Sequence, residues 1–123
     1  MRRRLGVLAA LLVIGAAGTA CGDDSSTSGG SSDAERVSIA ITVADGEVSP
    51  SGDAVEVPVG EEVDLVVTAD APGQIHVHSD PEAELDYDGT GEAETFTLRI
   101  DRPGQVEVES HTYGTLIAKL VVS

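Results

Sequence analysis

The sequence predicts an all-β domain, an antiparallel β-sandwich of about seven short strands. Three observations predict it. From Val37 onward, apolar residues recur at period two rather than 3.6. The runs are rich in β-branched residues, and clusters of Gly, Pro, Asp and Ser punctuate them. No helical periodicity of useful length appears. An up-and-down barrel is the alternative way to close the same strands.

The elements follow in order. VSIAITV (37–43) alternates and is β-branched, and the turn DGE (45–47) ends it. SPSGD (49–53) marks the next turn, before the strict alternation of AVEVPV (54–59). EEVDLVVTA (61–69) sets Val63, Leu65 and Val67 on one face. After the turn APG (71–73), QIHVHS (74–79) sets Ile75 and Val77 on one face and His76 and His78 on the other. ETFTLRI (94–100) follows the turn DGTG (88–91) and places Phe96 with Leu98. RPG (102–104) leads into QVEVES (105–110), where Val106 and Val108 share a face, and TLIAKLVVS (115–123) closes the chain. The core expected from these faces is aliphatic: Val37, Ile39, Ile41, Val63, Leu65, Val67, Ile75, Val77, Phe96, Leu98, Val106, Val108, Leu116 and Leu120.

Residues 37–123 form this domain, and the segment before it has a different character. Arg2, Arg3 and Arg4 precede the run LGVLAALLVIGAAGTA, which ends in small residues. That run is shorter than the roughly 20 apolar residues of a spanning helix. Residues 1–20 therefore read as a secretory signal. Small residues lead directly into Cys21, the one cysteine of the chain. GTAC resembles the lipobox of bacterial lipoproteins, with Gly18 at its first position. The resemblance implies that Cys21 is lipidated on sulfur, becomes the new N-terminus and carries acyl chains such as palmitate. Two or more acyl chains make a stable membrane anchor. Ordinary cleavage leaving a free thiol is the other reading, and one unpaired cysteine directly after a signal is uncommon in a secreted protein. Residues 21–36, rich in Ser, Gly and Asp, form a flexible linker with a span of roughly 20 Å. The expected place is extracytoplasmic, in the cell envelope, lipid-anchored to the outer face of the cell membrane.

Charge and composition exclude several classes. The formal net charge is −15, and loss of the three signal arginines takes it to −18. Such a domain repels nucleic acid and anionic headgroups. Aromatic residues make up 2% of the chain, too few for a stacking platform for bases or sugars. Residues 37–123 contain no cysteine, so thiolate metal sites, redox dithiols and cysteine catalysis are absent from the domain.

The histidines are the residues to which chemistry can be attached. His76 and His78 lie two apart on a strand and share a face. Glu109 and His111 share a face by the same alternation, opposite Val106 and Val108. Imidazoles so placed can bind copper, zinc or nickel, with a carboxylate such as Glu109 or Asp80 alongside. They are equally compatible with polar residues on a solvated sheet face.

The order of features resembles the cupredoxin family, especially the cupredoxin-like domains of secreted and lipid-anchored bacterial proteins. VPVGEEVDLVVTAD is similar to the run that leads to the first histidine of that family. FTLRIDRPGQVEVESH is similar to the hairpin that leads to the second. The resemblance spans nearly all of 37–123 and implies a Greek-key sandwich with His76, His78 and His111 near one end. In plastocyanin-type members, two histidines, a cysteine and a methionine hold copper. Carried over, His76 or His78 takes the first histidine position and His111 the second. The cysteine position falls near Val108 and the methionine position near Leu116, both aliphatic. Without the thiolate a blue-copper electron carrier is not expected.

The stretch DPEAELDYDGTGEAE (80–94) carries seven acids. It lacks the ligand spacing of a calcium loop and reads as a solvated, self-repelling loop. A Ser110–His111 pair exists on paper, but no nucleophile elbow or Gly-rich oxyanion loop supports it, and no enzymatic activity is expected. Two functions stay open: a domain binding copper or zinc through His76, His78, His111 and Glu109, and a metal-free protein-interaction or structural module.

Overall fold

The computed structural model describes residues 36–123. The signal over 1–20, Cys21 and the linker up to residue 35 lie outside the described residues. Among the described residues, nine strands form two packed sheets: β1 (Val37–Ala44), β2 (Glu47–Ser49), β3 (Asp53–Val57), β4 (Glu62–Ala69), β5 (Gly73–Val77), β6 (Ala83–Tyr87), β7 (Ala93–Arg99), β8 (Gly104–Ser110) and β9 (Thr115–Val122). One sheet has the order β2-β1-β4-β7 and the other β3-β9-β8-β5-β6. The expected β-sandwich is therefore what the chain forms. Most neighbouring strands are antiparallel, while β1 with β4 and β3 with β9 run parallel.

Alternation drives the architecture. In β1 the residues Ile39, Ile41 and Val43 turn inward, and in β4 Val63, Leu65, Val67 and Ala69 do so. Ile75, Val77, Val106, Val108, Leu120 and Val122 face them from the other sheet. Removing such side chains from water stabilises the fold by about 1.5–3 kcal/mol for each Val, Leu or Ile. Asp45 and Gly46 are the two-residue loop between β1 and β2, with φ of 54° and 80°. Positive φ at both positions is the primed turn that suits hairpin twist, and Asp-Gly is a preferred pair for it. The Asp45 N–H donates to Asp70 Oδ2 at 2.8 Å, tying this hairpin to the end of β4.

Four expected core residues are only half-buried. Val37 begins the first strand, and Phe96 and Leu98 lie on β7, an edge strand with one covered flank. Leu116 is displaced by a bulge. Val108 pairs with Ala118 and Glu109 with Leu116, so Ile117 is the extra residue and takes the buried place with 0% exposure. Val43, Val57, Ala69, Tyr87, Ile100, Ile117, Ala118 and Val122 join the core beyond those expected.

The acidic stretch 80–94 also differs from the expected loop. Within it β6 pairs with β5 from Gly73↔Tyr87 to Val77↔Ala83. Its charges, Glu84 and Asp86, point outward at the sheet edge, while Tyr87 is buried and Leu85 and Ala83 pack against the core. Self-repulsion is tolerated because the acids alternate with apolar residues and stay in water. Edge charges also discourage pairing with other chains.

Candidate metal centre

β5 lies between β6 and β8, and this position assembles the site. Ile75 and Val77 are fully buried, so His76 must point out of the sandwich. In register, His76 faces Glu84 on β6 and Glu109 on β8. His78 follows just beyond β5, where its N–H donates to the Glu107 carbonyl at 2.9 Å and extends the pairing. His111 opens the β8–β9 turn, and its N–H donates to the Gln74 carbonyl at 2.9 Å. The three histidines therefore share one outer surface of the five-stranded sheet.

Glu82 completes the cluster. Its Oε2 lies 3.3 Å from His76 Nε2 and its Oε1 3.9 Å from His78 Nδ1. His76, His78 and Glu82 each present one donor atom, all within 4.8 Å of one another. Two imidazoles bound to one ion at about 2.0–2.1 Å would set their ring centroids about 4.5–6.4 Å apart, from adjacent to opposite positions. The His76 and His78 rings are 4.3 Å apart and the His76 and His111 rings 6.5 Å, near those limits.

Glu109 plays a different part from Glu82. Its Oε2 lies 3.0 Å from His78 Nε2, the ring nitrogen opposite the one that approaches Glu82. A metal-bound imidazole commonly donates its second N–H to a carboxylate, which fixes the tautomer and raises basicity. Glu109 is placed for that role. The hydrogen bond to Glu109 is also the main reason the His78 pKa is raised; burial opposes the shift, and the charges of Glu109, Glu82 and Glu107 add to it.

Of the sequence-derived candidates, His76, His78, His111 and Glu109 come together. Asp80 does not join them and pairs with Arg102. Glu82 was missed, because it returns to the histidines only through the turn at Ser79–Pro81, where the Ser79 hydroxyl donates to the Pro81 carbonyl at 2.7 Å. Ser110 and His111 form no dyad: Ser110 is buried on the inner face and its Oγ accepts from the Tyr113 N–H at 3.3 Å.

No family model and no curated protein matches the sequence. Solved structures do. The copper-binding metal-binding domain of the Cu(I)-exporting P-type ATPase CopA from Streptococcus pneumoniae D39 is similar over 70% of this chain and 84% of its own, with 11% identity and a TM-score of 0.54. A copper-binding protein in its apo form is similar over 70% and 86%, with 16% identity and a TM-score of 0.53. A methionine-to-alanine variant of amicyanin in the Cu(I) state covers 70% and 82%, with 18% identity and a TM-score of 0.50. The fold is cupredoxin-like. At these identities the likeness concerns the path of the backbone and not the ligands.

A type-1 copper does not fit this cupredoxin-like domain. Val108, near the position that the family resemblance gives to the cysteine, is an aliphatic side chain with 0% exposure, and Leu116 offers no donor. Between the sheets at this end the space belongs to Tyr87. A Cβ at Gly73 would stand 2.3 Å from the Tyr87 hydroxyl and 2.8 Å from Thr112 Oγ1. The Tyr87 hydroxyl is buried without a well-aligned hydrogen bond, although Ser110 and Thr112 are neighbours. Their oxygens already accept from the Tyr113 and Gln74 N–H groups. Burial raises the Tyr87 pKa above its ordinary value. The chemistry available to a metal therefore lies on the outer face.

Proposed function

We propose that this is a lipid-anchored, extracytoplasmic, non-catalytic domain that binds a divalent transition metal, copper or zinc, on the outer face of its five-stranded sheet. The observation that carries the reading is the convergence of His76, His78 and Glu82. Two imidazoles and a carboxylate suit zinc and Cu(II), and three protein donors leave a coordination position open. His111, its ring 6.5 Å from that of His76, is a further candidate ligand. The histidines are half-buried or exposed, so an ion can enter without a conformational change. Electron transfer of the blue-copper kind is not part of the proposal, because no sulfur donor is present in 37–123.

Calorimetric titration of the detergent-purified protein with Zn(II) and Cu(II) tests the reading. One ion per chain should bind, and His76→Ala with His78→Ala together should abolish it. Equal binding by the double variant would reduce the site to a generic acidic surface and favour the metal-free interaction module. The anchor has its own test: Cys21→Ala should move the protein out of the membrane fraction, and continued retention would refute lipidation as the anchor.

A further inference from the structure

A cavity of about 480 Å³ adjoins the histidine face. It opens between the β5–β6 connection and the β7–β8 turn, where the edge strands of the two sheets leave the sandwich uncovered. His78 and Glu82 belong both to its wall and to the donor cluster. Its volume falls in the usual range of small-molecule sites, about 300–1,000 Å³. Leu98, Ile100 and Val106 supply an apolar floor.

The rim is unusual for so acidic a chain. Among the described residues there are four lysines and arginines, and two of them, Arg99 and Arg102, stand here. Arg99 Nε donates to Asp101 Oδ1 at 2.8 Å and Arg102 pairs with Asp80. All four side chains are 62–77% exposed, and pairs this exposed are weak enough to exchange partners. The two arginines face three carboxylates in the lining, Asp80, Glu82 and Asp101, so the empty cavity is one negative charge from neutral. A divalent ion on His76, His78 and Glu82 would turn that balance to one positive charge. A bound cation of this kind is the largest local charge in its site and inverts the local electrostatics.

We propose that the cavity binds a small organic carboxylate with an apolar body, as a co-ligand of that ion. The carboxylate replaces water at the open coordination position, Arg99 and Arg102 neutralise it, and the apolar body rests on Leu98, Ile100 and Val106. The inference rests on the metal-binding reading above. It adds that the domain recognises metal and organic acid together.

Fluorescence titration of the detergent-purified full chain with 2-naphthoate, with and without saturating Zn(II), tests this. Zn(II) should tighten naphthoate binding about tenfold or more, and naphthoate should tighten Zn(II) binding by the same factor, as linkage requires. The double variant Arg99→Gln and Arg102→Gln should lose this coupling while binding Zn(II) alone as well as the parent or slightly better. Both positions are exposed, and unchanged circular dichroism will show that the variant folds. Zn(II) binding without any coupling to naphthoate would overturn the cavity proposal and leave the metal site standing. Coupling that survives in the arginine variant would also overturn it. No Zn(II) binding in either condition would overturn the metal reading and the cavity proposal with it.

Discussion

Glu109→Gln and Glu84→Gln remove the same charge from the same sheet face, and the structure predicts different consequences. Glu109 lies 3.0 Å from His78 Nε2 and is placed to hold that ring with Nδ1 toward the ion. Outer-shell carboxylates of this kind are worth about 10–100-fold in metal affinity. Glutamine keeps the shape and one acceptor oxygen, so the lower end applies, about tenfold or 1.4 kcal/mol. Glu84 is the register partner of His76 but forms no ion pair with any of the histidines. Taking about 8 Å to a divalent ion in water gives about 1 kcal/mol, and screening at 0.15 M salt reduces this to about 0.4, a factor of about two. The assay is competition for Zn(II) against a chromogenic chelator, at a pH where affinity has stopped rising. This choice removes the separate effect of Glu109 on the His78 proton. Equal weakening by the two substitutions would mean that bulk acidity and not a built site attracts the metal, and would rule out the outer-shell role of Glu109.

Four further outcomes are expected. The raised His78 pKa means a proton competes with metal above the ordinary imidazole value of 6.5; Zn(II) affinity should climb as pH rises through that window, and a flat profile there would contradict His78 as a ligand. In the metal-free protein the sign is opposite: the His78–Glu109 pair stabilises the fold below the unfolded imidazole pKa and loses this contribution as pH rises through the raised folded value, so thermal melts should show Glu109→Gln flattening the dependence. Tyr87→Phe removes a buried hydroxyl without a well-aligned partner and should leave urea stability unchanged or raise it by up to about 1 kcal/mol, whereas a loss larger than that would show the hydroxyl to be bonded. Gly89→Ala sets a Cβ 1.9 Å from the Ala71 carbonyl carbon at a φ of +68°, while Gly91→Ala at +83° meets open space; the second should cost about 1–2 kcal/mol of left-handed strain and the first clearly more.

The parts of the fold legible in the sequence were those where alternation and turn chemistry agreed. β1 and β4 read directly, because Ile39, Ile41, Val63, Leu65 and Val67 recur at period two. The Asp45–Gly46 turn read directly because few pairs tolerate two positive φ values. β2 is three residues long, too short for a period to show. β6 was hidden by its charge: Ala83, Leu85 and Tyr87 do alternate, but Glu84 and Asp86 between them suggested a solvated loop. The bulge at Ile117 was not legible, since TLIAKLVV sets Leu116 and Ile117 side by side, alternation counted back from Leu120 puts Leu116 inside, and only pairing with β8 shifts it.

The site divides in the same way. His76 and His78 were legible because a strand fixes which residues share a face. His111 joined them through the family resemblance, and the rings do stand near each other. Glu82 was not legible, because its return to His76 and His78 depends on the backbone path through Asp80 and Pro81. No periodicity describes that path.

A crystal structure grown with Zn(II), with the ion located by its anomalous signal, tests the outer-face metal site most directly. A single strong peak is expected on the outer face, at about 2.0–2.2 Å from His76 Nε2, His78 Nδ1 and a Glu82 oxygen, with Glu109 still on His78 Nε2. A peak between the sheets beside Tyr87, or ions scattered over carboxylates and away from His76 and His78, would contradict it.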